Sequence, residues 1–139
     1  MQLIYRVEHK ETSTGPFQTI DEFTQELASK AGELFRCPHP YEDGLVPKGG
    51  IPYCMVFGCV NLEQLAQWFL LGESSHENVQ IVNKLKNLGF IVRAFVVQEH
   101  DLTQGKSGRQ VLFYPGEATD EGLFEDFDLD VLLSTAWAQ

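Results

Sequence analysis

The sequence has no lysine or arginine after Arg109, and this absence gives the chain a marked charge asymmetry. Residues 110–139 carry a formal charge of −7 and residues 1–109 carry −3, which accounts for the net charge of −10. Clusters of basic residues are lacking as well, since the 10 lysines and arginines are scattered along the chain. Binding to a phosphate backbone needs such clusters. We therefore expect no direct nucleic-acid partner.

Long apolar runs and paired cysteines are also missing. No run approaches the roughly 18–20 apolar residues that span a bilayer, and the first residues lack the basic start and apolar core of a signal peptide. The three cysteines, Cys37, Cys54 and Cys59, are an odd number, which disfavours a closed disulfide framework. These absences predict a cytoplasmic protein with reduced thiols and no membrane partner.

Motifs for metal binding and catalysis are incomplete. Cys54 and Cys59 are further apart than paired zinc ligands, and the alternate aspartates of residues 126–130 lack the glycine and distal glutamate of a calcium loop. Residues 105–108, Gly-Lys-Ser-Gly, lack the upstream glycine and following helix of a phosphate loop, so we expect a hairpin turn there. The sequence favours a protein without enzymatic activity or bound metal, but leaves catalysis open.

The residues that are present suffice for one packed domain. The 139 residues are 43% apolar and include 10 Phe, 4 Tyr and 2 Trp, so we expect residues 1–139 to form a single globular domain. Hydrophobic periodicity predicts strands over residues 2–9, 53–60, 90–97 and 109–114, and helices after the capping residues Thr19, Asn61 and Ser74.

The order of these elements, β-α-β-α-α-β-β, predicts an α+β fold with a mixed sheet of about four strands covered by helices. The last two strands are expected to pair as an antiparallel hairpin. In the first strand, Leu3, Tyr5 and Val7 are expected on the core face, with Arg6 and Glu8 on the solvent face. The proline-rich loop at residues 36–52 is long for a structureless connection, and we consider it a candidate for a small-molecule pocket.

Three segments resemble small uncharacterised phage and prophage proteins: residues 3–7, the polar segment that ends in Gly15-Pro16-Phe17, and residues 56–69. The same pattern is similar to the ADP-ribosyltransferase fold, in which an arginine, a serine and a late glutamate bind and activate NAD. The resemblance implies that Arg6 matches the arginine and that Cys59 or Gly58 stands at the serine position. The late strand offers Gln110 and Leu112 where the catalytic glutamate is expected, which departs from the family pattern.

The acidic C-terminal segment, residues 117–139, interleaves carboxylates with apolar side chains and is expected to pack on the domain. Carboxylates at this density can mimic nucleic-acid phosphates and occupy a basic protein groove, with aromatic residues as anchors. The residues predicted to bind a partner are Glu121, Phe124, Glu125, Asp126, Phe127, Asp128 and Asp130.

We therefore expect a small acidic, non-enzymatic binding protein that is phage-encoded, as the resemblance implies. It would engage and inhibit or modulate a basic or nucleic-acid-handling host protein, as anti-defence proteins do. The alternative is a diverged ADP-ribosyltransferase-like enzyme that uses NAD at Arg6, Cys59 and Gln110.

Overall fold

The fold contains six strands and three α-helices within residues 2–13, 15–16, 21–33, 43–45, 56–108, 110–113 and 125–135, which a computed structural model describes. The strands are β1 (Gln2–His9), β2 (Val56–Gly58), β3 (Phe90–Val97), β4 (Leu102–Gln104), β5 (Val111–Phe113) and β6 (Glu125–Phe127). The helices are α1 (Glu22–Glu33), α2 (Leu62–Phe69) and α3 (Ser75–Asn87). Short 3₁₀ helices follow β3 at Glu99–Asp101 and β6 at Leu129–Ser134.

The described strands form two antiparallel three-stranded sheets, in the orders β1-β3-β6 and β2-β5-β4. β1 and β3 are the long pair, in register from Gln2 opposite Val97 to His9 opposite Phe90. The sheets are joined where the backbones of Tyr5 and Cys59 exchange hydrogen bonds of 2.7 and 2.8 Å. The predicted α+β class is confirmed, although the strands divide between two sheets instead of forming one mixed sheet.

The predicted hairpin between the strands at residues 90–97 and 109–114 is wrong. β3 pairs with β1 and β6, whereas β5 pairs with β2 and β4. The 3₁₀ helix after β3 redirects the chain, so that β4 becomes the hairpin partner of β5. β4 has three residues, which is too short for an alternating pattern to be recognised in the sequence.

The N-terminal caps predicted at Asn61 and Ser74 are confirmed, because each side chain accepts a backbone hydrogen bond from the residue three positions later, at 2.8 and 3.2 Å. α1 is capped by Asp21, whose carboxylate accepts a hydrogen bond from the Thr24 backbone at 3.2 Å. The cap predicted at Thr19 lies outside the described residues. None of the helices in the described ranges has the length and apolarity to cross a membrane.

Both faces of the first sheet contribute to the core. Val7 and Val92 point toward the helices, where they pack in a cluster with α2 and α3. On the opposite face, Ile4, Phe95 and Val97 pack against β5 of the second sheet. Because side chains alternate along a strand, the face that carries Ile4 also carries the charged side chains that follow it on β1. Those side chains are therefore directed into the space between the sheets.

The chain after β6 also packs on this core. Leu129 and Leu132 of the 3₁₀ helix are both 0% exposed and belong to the cluster formed with α2 and α3. The carboxylate of Asp128 caps the same helix by accepting a hydrogen bond from the Asp130 backbone at 2.9 Å. Residues 125–135 are thus fixed to the domain by buried leucines, with their acidic side chains outside.

Replacement of Leu132 by alanine should lower the free energy of unfolding by about 2–5 kcal/mol, because it opens a cavity at a fully buried position. The neighbouring Leu133→Ala is the matched control, since Leu133 is only partly buried and should cost clearly less. Urea unfolding of both variants measures the difference. Equal, small losses would contradict the packing described for residues 129–134.

Candidate functional site

Four charged side chains from all three strands of the first sheet form one ion-pair network, called here the charge cluster. It consists of Arg6 and Glu8 on β1, Arg93 on β3 and Asp126 on β6. Arg93 lies directly opposite Arg6 on one side and Asp126 on the other. Glu8 is two residues from Arg6 and shares its face of the sheet. The register therefore brings two guanidinium groups and two carboxylates to one place.

Glu8 bridges the two guanidinium groups. Its Oε2 accepts a hydrogen bond from Arg6 Nε at 2.8 Å, and its Oε1 accepts one from Arg93 Nη1 at 2.7 Å. Asp126 accepts two further bonds, from Arg93 Nε at 2.7 Å and from Arg93 Nη2 at 3.2 Å. The Glu8 side chain is 5% exposed and that of Asp126 is 47% exposed. The network thus extends from the interior to the surface.

The cluster also holds a turn and the second sheet. Arg6 donates from Nη1 to the carbonyl of Phe57 at 3.0 Å and from Nη2 to the carbonyl of Ser13 at 3.4 Å. Arg93 Nη1 donates to the hydroxyl of Ser13, also at 3.4 Å. Ser13 has a φ of 60°, in the left-handed region that side chains other than glycine rarely adopt. The turn after β1 is therefore held in an unfavourable conformation that directs two oxygens at the arginines.

The expectation that Arg6 and Glu8 face solvent is wrong, because Arg6 is 6% exposed and Glu8 is 3% exposed. The second sheet and the turn that ends at Ser13 cover this face, and neither can be read from the alternation within β1. Ion pairing with Asp126 and then with Glu8 raises the pKa of Arg93, against an opposing effect of burial. The guanidinium stays charged inside the fold.

The residues that the ADP-ribosyltransferase resemblance singled out lie in different surroundings. Arg6 belongs to the charge cluster, and Cys59 is 3% exposed with its backbone paired to Tyr5. Gln110 is 2% exposed and donates from its side-chain amide to Asp43 at 3.0 Å. Their hydrogen bonds place Arg6 and Gln110 in two separate polar groups.

Asp43 forms the second of these groups with the turn between β4 and β5. Its Oδ1 accepts a hydrogen bond from the Ser107 backbone at 2.6 Å, and its Oδ2 accepts bonds from the Ser107 hydroxyl and Gln110, both at 3.0 Å. Gly105 makes this approach possible, because a Cβ there would overlap the Asp43 carboxylate. The hairpin turn predicted at residues 105–108 is confirmed, and it holds the chain's own carboxylate.

This contact fixes residues 43–45 of the long proline-rich loop, and the rest of that loop lies outside the described residues. Leu45 is 2% exposed, so the short stretch is anchored by both a carboxylate and an apolar side chain. The role of Asp43 was not predicted. An aspartate before glycine in a loop is typical of turns, and nothing in the sequence connects it to a turn more than 60 residues later.

Exposed carboxylates on and after β6, the edge strand of the first sheet, form a surface feature that is called here the acidic strip. Its members are Glu125 and Asp126 on β6, and Asp128 and Asp130 around the start of the 3₁₀ helix. All four are exposed. Lys86 of α3 pairs with Asp128 at 3.2 Å and with Asp130 at 3.0 Å.

The other residues predicted to bind a partner differ in position. Phe127 is partly buried and packs on the helical side of the core, so its ring contributes to folding. Glu121 and Phe124 lie outside the described residues. The structure therefore brings together four of the seven predicted residues as surface carboxylates.

Hydrogen bonds favour the charged forms of Asp128 and Lys86. The backbone N–H of Asp130 and then Lys86 lower the pKa of Asp128 below its ordinary value. The carboxylates of Asp130 and Asp128 raise the pKa of Lys86. Within the described ranges, no three or more His, Cys, Asp or Glu side chains are arranged to hold a metal ion. The chemistry that the strip offers outward is the binding of cationic groups.

Comparison with known proteins identifies one family. The family model described as Bacteriophage T4 Y00F protein matches residues 1–126. No curated protein and no solved structure matches the chain. The matched range ends at Asp126 and contains the whole charge cluster. The predicted resemblance to phage proteins is confirmed, and the comparisons give no support to the similarity with ADP-ribosyltransferases.

The two carboxylates of the charge cluster should differ in their effect on stability. Glu8→Gln leaves two buried guanidinium groups without the anion between them and should cost about 3–5 kcal/mol of unfolding free energy. Asp126→Asn should cost about 1 kcal/mol or less, because its carboxylate is half exposed and Arg93 keeps Glu8. Urea unfolding at fixed ionic strength measures both. A larger loss for Asp126→Asn would show that the network is not centred on Glu8.

Asp128→Asn keeps a side-chain acceptor for the helix cap and removes only the charge. Because folding lowers the pKa of Asp128, its ionised form stabilises the protein above the ordinary aspartate pKa, and this contribution disappears as the pH falls through the lowered value. We expect the variant to be slightly less stable than the wild type at neutral pH and equal to it in acid. Thermal unfolding across this pH range tests the sign, and a difference that grows toward acid would contradict it.

Proposed function

Because this chain belongs to the Bacteriophage T4 Y00F family, we propose that it is a phage-encoded binding protein without catalytic activity. Its partner is a basic, nucleic-acid-handling protein of the host, which it inhibits or modulates. The observation that carries the proposal is the acidic strip, a row of exposed carboxylates on an ordered part of the fold. Family membership supports the phage origin, and the strip supports the kind of partner.

Three of the four carboxylates of the strip are held by contacts with the domain. Asp126 is held by two hydrogen bonds from Arg93, and Asp128 and Asp130 share Lys86. Behind them, Leu129 and Leu132 are completely buried. A binding surface that is already ordered loses little conformational entropy on association, which favours affinity.

The strip keeps an excess of negative charge. Three of the four carboxylates pair with Lys86 or Arg93 among the described residues, and the four carboxylates and two cations together carry a net formal charge of −2. Glu125 is exposed and makes no ion pair with any residue that the structure describes. Such a surface attracts a basic protein and repels nucleic acid, and the attraction acts on the rate and specificity of encounter. The overall charge of −10 adds to this field.

The buried polar groups support a role outside catalysis. Glu8 is bonded to two guanidinium groups, and Asp43 accepts three hydrogen bonds from one turn. Both carboxylates are thus used to hold the fold together. The exposed carboxylates of the acidic strip, in contrast, are accessible to a partner.

Capture of host proteins from a bacterial lysate tests the proposal. The variant Glu125→Gln/Asp128→Asn/Asp130→Asn removes three charges from the strip and spares Asp126, which also belongs to the charge cluster. We expect the wild type to capture a basic protein and the variant to lose most of it. Capture should also fall steeply as salt is raised from low to physiological concentration, since exposed charges are screened.

A charge-matched control neutralises three carboxylates that lie outside the strip. Glu11, Glu26 and Glu99 are exposed and lie outside the strip, so Glu11→Gln/Glu26→Gln/Glu99→Gln should capture the partner as the wild type does. Equal losses in both variants would mean that net charge alone matters. Unchanged capture by the strip variant would remove the strip from the proposal.

A further inference from the structure

We infer that the partner's basic segment binds as an extended strand along the outer edge of β6, so that it extends the sheet β1-β3-β6. The inference rests on the proposed function and specifies how the acidic strip is used. The site is the backbone edge of β6, and the carboxylates beside it select what pairs there.

β6 is the last strand of its sheet, and no other strand in the described part of the chain pairs with its outer side. The opposite edge differs, because β1 is joined to the second sheet through Tyr5 and Cys59. An edge strand presents unpaired backbone N–H and C=O groups, which is the template that added strands use. Among the described strands, the first sheet thus has one edge joined to the second sheet, at β1, and one edge without a paired strand, at β6.

The β6 edge is held in place from its inner side. Three residue pairs align β6 with β3, from Val92 opposite Phe127 to Ala94 opposite Glu125. The Arg93–Asp126 ion pair fastens the middle of the strand. A ladder of three pairs is also the length by which β5 binds both β2 and β4 in this fold. An incoming strand would form a pairing of a size that the protein already uses twice.

Charge decides between the possible occupants. Antiparallel pairing of two copies centred on Asp126 would place this carboxylate opposite itself, and like charges directly opposite destabilise a sheet. A strand with alternating lysines instead directs its cations to one face of the sheet, where they can pair with Glu125, which makes no ion pair with the described residues. The edge strand of the second sheet, β4, carries no charged side chain and offers no such selection. The occupant is therefore a basic extended segment of another protein.

Two peptides of equal charge separate strand pairing from simple attraction. One, the lysine–threonine peptide, has eight residues in which lysine and threonine alternate, and the other is its N-methylated form, in which no backbone nitrogen can donate a hydrogen bond. We expect the lysine–threonine peptide to bind at least about tenfold more tightly by fluorescence anisotropy. It should also slow amide hydrogen exchange within residues 125–127. Glu125→Lys should abolish the preference, and Glu99→Lys, with the same change in charge, should keep it.

Each other result overturns the inference. Equal binding of both peptides would leave the charge-based function standing and remove strand pairing. If neither peptide binds, a basic strand is not the occupant of this edge. The role of the acidic strip would then still be tested by the lysate capture experiment. A preference that survives Glu125→Lys would place the pairing elsewhere. A dimer of the unliganded protein in sedimentation, lost on Glu125→Lys, would make a second copy the occupant.

Discussion

A glutamate buried between two arginines holds this protein together. Glu8 satisfies both guanidinium groups, and removal of one member of such a buried network leaves uncompensated charge in the interior. Through Arg6 the network reaches the carbonyl of Phe57 in the second sheet, and through Arg93 it reaches Asp126 on the edge strand. Strands that are distant in sequence are thereby fixed relative to one another.

The acidic strip depends on this network for its position. Asp126 is both the outermost member of the charge cluster and a member of the strip, so the surface carboxylates are connected to the buried glutamate through Arg93. Lys86 of α3 likewise connects Asp128 and Asp130 to the domain through ion pairs. The same side chains therefore order the segment and set its charge. This connects the fold of the domain to the proposed binding of a basic partner.

Periodicity and capping residues predicted the long elements well, because β1, β3 and the caps at Asn61 and Ser74 are local features. The three-residue strands β4 and β6 were missed, since their pairing depends on distant residues, whereas β2 lies within the strand predicted over residues 53–60. One feature of the sequence could have indicated that Arg6 is buried in an ion-pair network. Arg93 is the only charged residue in the strand Phe90–Val97, and a charge in an otherwise apolar strand needs a buried partner.

The central claim is that the charge cluster fastens the acidic edge strand to the sheet, and a double-mutant cycle tests it most directly. The cycle compares the unfolding free energies of Arg93→Met, Asp126→Asn and the double variant with that of the wild type. The structure predicts a coupling energy of at least about 0.5 kcal/mol between the two positions. Effects that add to within about 0.3 kcal/mol would contradict it, because they would show that Arg93 and Asp126 act independently.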